Sequence, residues 1–214
     1  MLPPLDPGHF QKLTGVSRET LARLDLYAQL LIAWNRRINL VGPRTIGDLW
    51  RRHILDSAQL RLLIPPTARV LVDLGSGAGL PGLILAILGF PEVHLVEADQ
   101  RKCVFLREAA RITGTPVHLH PQRLETIPPF AADVVTARAF APLADLLDQA
   151  EPFIATHSIL LALKGRTVGE ELTEAAKAWN MRATQRQSVS DPSGTVLYLE
   201  QVIRADHNGT ARRS

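Results

Sequence analysis

The chain has 214 residues, 46% of them hydrophobic and 21% charged, which suits one α/β domain with a terminal addition better than two independent domains. Its one cysteine, Cys103, excludes an internal disulfide framework, no stretch is apolar for long enough to cross a bilayer, and no secretory leader follows Met1-Leu2-Pro3-Pro4, so a cytoplasmic place is expected. The formal charge is +3, carried mostly by arginine, which permits a nucleic-acid partner without demonstrating one, since genome base composition gives the same bias.

The first sixteen residues, with Pro3, Pro4, Pro7, Gly8 and Gly15, read as a loose lead-in. Ser17 is a candidate N-cap, and Leu21, Leu24, Tyr27, Leu31, Trp34 and Ile38 then recur at helical spacing up to a Gly42-Pro43 break. A second helix is expected from about Asp48 to Leu63, ending before Pro65-Pro66. Residues 1–66 therefore form a lead-in and helical extension. From 67 to 204 short apolar strands alternate with helices, which predicts right-handed crossovers and a mostly parallel, doubly wound sheet. The strands near Arg182–Val189 and Val196–Ile203 flank the turn Asp191-Pro192-Ser193-Gly194 and are expected to pair as an antiparallel hairpin at the sheet edge. The tail, 205–214, is basic and expected to be disordered.

The segment from Val70 through Asp73 to Gly82 runs a buried strand into a glycine turn, with Pro81 where a helix begins. Glu97 ends the next strand about twenty residues on, where an acid can receive two ribose hydroxyls. Gly77-Ala78-Gly79-Leu80-Pro81-Gly82 also satisfies a dinucleotide spacing. Asp73 weighs against that ligand, because a pyrophosphate at this turn would be repelled by a nearby carboxylate. S-adenosylmethionine, which brings an ammonium and a sulfonium, is the better match. An NAD-dependent oxidoreductase and a non-catalytic RNA-binding protein with a residual cofactor fold stay as alternatives.

A methyl acceptor constrains its site by the protons it must lose. Neither an Asn- or Asp-Pro-Pro-aromatic stretch after the fourth strand nor an exposed nucleophilic cysteine is present; Cys103 falls within a helix, as a core residue would. Guanine N-7 has a free lone pair and needs no base, so it fits what is missing. His118 and His120 share one face of a strand, but no third ligand is apparent, so no metal site is expected. His53 and Asp56 lie one helical turn apart, where a mutual hydrogen bond and a substrate contact are equally open; Trp34 reads as core.

Trp34-Asn35-Arg36-Arg37-Ile38-Asn39-Leu40, Arg52-His53-Ile54-Leu55-Asp56-Ser57, the loop Asp73–Gly82, Arg138-Ala139-Phe140-Ala141 and Leu163-Lys164-Gly165 occur in that order along the chain. In these stretches the chain resembles the bacterial small-subunit (16S) ribosomal RNA guanine-N-7 methyltransferases of the G type, also called the glucose-inhibited division protein B family. The resemblance implies a Rossmann-like class I methyltransferase fold, with S-adenosylmethionine as cofactor and small-subunit ribosomal RNA or the small subunit as partner. It implies a donor site at Asp73, Gly75, Ser76, Gly77, Gly79, Leu80 and Glu97, with Leu124 and Glu125 near the adenine. It implies an acceptor side of Asn39, His53, Arg138 and Lys164, with Arg138 also touching the donor. No membrane is involved, and the chain is expected to act as a monomer. An arginine common in that family at the entry to the last strand is replaced by Ser193-Gly194-Thr195-Val196, leaving Arg186 or Arg212-Arg213 as candidate substitutes.

Overall fold

The computed structural model describes residues 4–205. Seven strands form one sheet in the order β3-β2-β1-β4-β5-β7-β6. They are β1 (Val70–Leu74), β2 (Glu92–Val96), β3 (His118–His120), β4 (Ala132–Arg138), β5 (Ile154–Lys164), β6 (Trp179–Gln187) and β7 (Thr195–Arg204). The first five run parallel, and β7 turns antiparallel between β5 and the edge strand β6. The doubly wound sheet with its antiparallel edge hairpin is therefore as the sequence predicts. Chain order reverses between β1 and β4, and open α/β sheets bind ligands at the carboxyl edge of that switch.

Two apolar clusters cover the two faces. Leu71, Val93 and Leu95 pack with α4 (Gly82–Ile87), α5 (Gln100–Thr113) and the N-terminal helices. On the opposite face Val72, Leu74 and Val135 pack under α6 (Leu143–Ala150) and α7 (Val168–Ala175). Leu24, Tyr27 and Leu31 are fully buried in the same cluster as Leu83 and Phe105, so the core runs unbroken across the 66/67 boundary. Each such side chain contributes about 1.5–3 kcal/mol of apolar burial.

The lead-in contains a helix, α1 (Pro7–Thr14), that the sequence reading missed. Its prolines and glycines punctuate rather than disrupt: Asp6 caps its start by accepting from the His9 amide at 2.8 Å, Pro7 is the first helical residue, and Gly15 closes it in the left-handed region at φ 70. The next helix, α2 (Arg18–Asn35), is capped by Ser17 as expected but ends before Gly42-Pro43. It stops because Asn35 Oδ1 accepts from the amides of Leu40 and Val41, each at 2.9 Å, which folds the chain back. The predicted helix from Asp48 to Leu63 is a run of different turns. A 3-10 turn (Pro43–Asp48) leads to a π-helical turn (Trp50–Leu55), the short α3 (Asp56–Ala58) and a second 3-10 turn (Gln59–Leu63). Trp34 packs edge-on against Phe105 at 5.8 Å, as a core residue does. Of the tail 205–214, all but Ala205 lies outside the described residues.

Candidate functional site

A continuous trough follows the carboxyl edge of β1, β2, β4 and β5, with the glycine turn at its centre. Gly75, Gly77 and Gly79 all have positive φ (65, 57 and 82), the left-handed region that glycine takes without strain. At Gly75 the space is also closed: a Cβ there would lie 2.3 Å from the Phe140 ring. The turn is held from three sides. The Ser76 amide donates to Val96 O at 2.9 Å, the Gly77 amide to Glu97 Oε2 at 2.8 Å, and the Tyr27 hydroxyl to Ala78 O at 2.7 Å.

Asp73 does not line the trough. It has no solvent exposure, and its carboxylate accepts from Thr136 Oγ1 at 2.7 Å and from the Gly82 amide at 3.1 Å. A direct contact between Asp73 and a ligand is therefore corrected to a fixed negative charge beneath the turn. Gly82 is the first residue of α4, so Asp73 occupies an amide that would otherwise face an anion. A pyrophosphate would lose that donor and meet two carboxylates, Asp73 and Glu97. A ligand with an ammonium and a sulfonium is favoured by the same arrangement.

On one side of the turn, Gly75, Glu97, Gln122, Arg123, Leu124, Glu125 and Phe140 wall a pocket. Glu97 is buried, and its second oxygen accepts from the Asp99 amide at 2.8 Å, which leaves the carboxylate fixed at the pocket wall. On the other side, Gly75, Ser76, Gly77, Leu80, His53, Lys102 and Arg138 wall a second pocket. Lys102 is a cation that the sequence reading missed; it lies one turn into α5 and is brought to the pocket only by the packing of α5 on the sheet. Cys103 is fully buried and donates its thiol to Glu97 O at 3.2 Å, so it is core and not a nucleophile.

The third pocket extends over β5 and the β6–β7 connection and is walled by Arg52, Asp56, Arg138, Ala139, Lys164, Ser190, Asp191 and Gly194. Arg138 and Ala139 belong to both this pocket and the last. Ala139 sits at φ 47, an uncommon conformation for a residue with a Cβ, and it sends Arg138 and Phe140 to opposite sides of the chain's path. Arg138 Nη2 donates to Arg52 O at 3.0 Å, and Nη1 lies 3.5 Å from Asp56 Oδ2 without a hydrogen-bond partner.

His53 and Asp56 do not bond to each other. Asp56 Oδ1 accepts from Ser188 Oγ at 3.1 Å, from Gln59 Nε2 at 2.9 Å and from Ser190 Oγ, which ties the π-helical turn to the β6–β7 connection. His53 Nε2 lies 2.6 Å from Thr45 Oγ1, whose single proton is directed to Gly42 O at 2.6 Å, so the imidazole proton sits on Nε2. Burial, with Arg138 and Arg52 nearby, pushes His53 down to about 3, and the ring is neutral at physiological pH.

Lys164 lines the third pocket as expected, and its Nζ donates to Ala141 O at 2.5 Å and to Glu171 Oε2 at 2.7 Å, so its charge is paired within the fold. Asn39 is exposed and stands next to Leu40, which lines the pocket, without lining it. Arg186 lies on a separate shallow groove with Leu62 and Tyr198. The arginine beside Gly194 is instead Arg52, ion-paired with Asp191.

Comparison with known proteins agrees with this geometry. The family described as GidB, rRNA small subunit methyltransferase G, matches residues 20–196. The ribosomal RNA small subunit methyltransferase G of Paramagnetospirillum magneticum is 57% identical over 200 residues, covering 94% of this chain and 98% of its own. That of Rhodospirillum rubrum is 56% identical, covering 94% and 100%. Among solved structures, a TehB-like SAM-dependent methyltransferase from Corynebacterium glutamicum superposes with a TM-score of 0.56 at 14% identity, over 84% of this chain and 98% of that one, a likeness of fold.

Proposed function

The chain belongs to the GidB family of small-subunit ribosomal RNA methyltransferases and is an S-adenosylmethionine-dependent rRNA methyltransferase, and from that premise we propose that its acceptor is N-7 of one guanine in 16S ribosomal RNA. The observation that carries this choice is the lack of a usable base on the acceptor side. The acids there, Asp56 and Asp191, are committed to Ser188, Ser190 and Gln59 in one case and to Arg52 and Ser193 in the other. Burial pushes His53 down to about 3, so near neutral pH its ring binds a proton too weakly to serve as the base. A nucleophile that must lose a proton would find no acceptor; the N-7 lone pair has none to lose.

S-adenosylmethionine, when bound, supplies an electrophilic methyl group on its sulfonium. Glu97 is placed for its ribose hydroxyls, Leu124 and Glu125 for its adenine, and the Gly75–Gly79 turn with Lys102 and Arg138 for its amino-acid end. Arg138, whose guanidinium is ion-paired with Asp56 at the wall of both pockets, is the residue we assign to the guanine O6 or a flanking phosphate, with Arg52 beside it. Holding the base edge in line with the methyl group supplies the catalysis, because the displacement itself needs only alignment. The chain acts, in this reading, as a monomer in the cytoplasm, where its RNA substrate is made.

The test is methylation of small subunits and of naked 16S RNA, prepared from a strain without the endogenous enzyme, using radiolabelled donor and nucleoside analysis. Label in 7-methylguanosine at a single site is expected. Label in any other nucleoside would overturn the assignment of the acceptor.

A further inference from the structure

The outer edge of the sheet gathers three of the seven histidines, far from the acceptor side of the trough. The sequence pairs His118 with His120; the fold adds His94, because β2 and β3 run parallel with His94 directly opposite His118. The rings of His94 and His118 stack with centroids 4.7 Å apart, and Phe130 covers His94 at 4.6 Å. His94 Nε2 lies 2.9 Å from Glu92 Oε1, and His94 Nδ1 lies 2.9 Å from His120 Nε2. One ligating atom from each of Glu92, His94 and His118 falls within 4.8 Å of the others.

We propose that Glu92, His94 and His118 form a binding site for a divalent zinc ion, with His120 as the outer partner that orients His94. Two imidazoles and a carboxylate are the donor set of an open tetrahedral zinc site, with water in the fourth position. Bonds of about 2.0–2.1 Å put tetrahedral ligand atoms roughly 3.4 Å apart, between the 2.9 Å and 4.8 Å found here. Glu92 and His118 are exposed, so the site needs only their side chains to turn from the contacts they make with His94. Without metal, His94 donates its Nε2 proton to Glu92 and accepts at Nδ1 from His120. With zinc on Nε2, that proton leaves to solvent, the bridging proton moves to His94 Nδ1, and His120 takes up one proton at its own Nδ1. The rings stay neutral, and a ligating histidine that donates its other N–H is the usual supporting arrangement. The edge strand β3 has only three residues, and its last carbonyl accepts from the Glu97 amide at 3.2 Å. Zinc would therefore fasten the strand that leads into the Gln122–Glu125 wall of the donor pocket.

The experiment is zinc titration of the full, untagged chain by calorimetry, with cobalt absorption as the spectroscopic readout and donor binding as the check of folding. One equivalent of zinc, intense tetrahedral cobalt bands and a raised Tm are expected. His118→Ala and His94→Ala should each weaken zinc binding by about tenfold or more. His157→Ala, a remote exposed histidine, should leave it unchanged. Binding that is unaffected in both His94→Ala and His118→Ala, or absent in the parent chain, would overturn the proposal. His118 is exposed, so its variant remains informative if His94→Ala fails to fold.

Discussion

Asp73 has no solvent around it, and burial pushes its carboxyl up from 3.8 to about 6 despite hydrogen bonds from Thr136, Ser76 and Gly82. A raised carboxyl binds a proton in the folded state that the unfolded chain has released. Its contribution to stability is therefore full below 3.8 and is lost as pH rises through about 6. The donor has the opposite preference, since its positive groups favour the carboxylate. Donor affinity is thus expected to fall as pH drops through about 6, by at most about tenfold per pH unit, while Asp73→Asn binds weakly at every pH. Calorimetric titrations between pH 5 and 8, values chosen to bracket the carboxyl's midpoint, check this; parallel curves for both proteins would remove Asp73 from donor binding. Arg138 makes a separate case, because it lines the pockets on both sides of the shared wall while its Nη1 makes an ion pair with Asp56 but no hydrogen bond. Arg138→Ala should lower kcat/KM for RNA by about 10- to 100-fold, with a smaller loss of donor affinity. Unchanged turnover would take Arg138 out of the acceptor site.

Between elements, Asp56 joins the π-helical turn to the β6–β7 connection across 132 positions of sequence. Removing it takes the shared acceptor from Ser188, Ser190 and Gln59 and leaves Arg138 without its counter-charge. Asp56→Ala is expected to cost about 2–3 kcal/mol, a fall of roughly 4–12 °C in Tm for a chain of this size. Calorimetric melting checks it, and an unchanged Tm would mean that water replaces the carboxylate. The strands, the glycine turn and Glu97 were legible in the sequence because each is announced by neighbours: apolar runs, breakers, an acid at a strand end. Asp56's partners were not, because Ser188 and Ser190 lie on another element with no pattern linking them. His94 shows the same limit, since two residues on one strand are visible in sequence but the register of the adjacent strand is not. The partner of Lys164, which lines the third pocket as expected, was hidden for a related reason. A lysine at a strand's carboxyl end suggests a phosphate, and only the fold reveals Glu171 already beside it. The first helix fails differently: Pro7 and Gly15 read as marks of a loose lead-in, although with Asp6 they stand where the helix starts and stops.

At the scale of the whole molecule, the helical extension is part of the donor site's support and not an appendage. Tyr27 is fully buried among residues of the sheet domain and holds the glycine turn by its hydroxyl. Tyr27→Phe should therefore loosen donor binding as well as lower stability by about 1–2 kcal/mol, read by calorimetry and thermal melting. A stability loss with unchanged donor affinity would separate the extension from the site. The donor side and the acceptor side also share a wall, Arg138 and Ala139, and the unusual backbone of Ala139 gives that wall few positions to adopt. Whatever fills one pocket therefore fixes part of the other, so the two ligands carry a coupling free energy, and such a coupling is reciprocal. The factor by which S-adenosylhomocysteine changes the affinity for RNA must equal the factor by which RNA changes the affinity for S-adenosylhomocysteine. A factor of about five or more, the same in both titrations, is expected from a wall this constrained. The enzyme would then release its spent cofactor and its modified RNA as linked events, and holding one would slow the loss of the other.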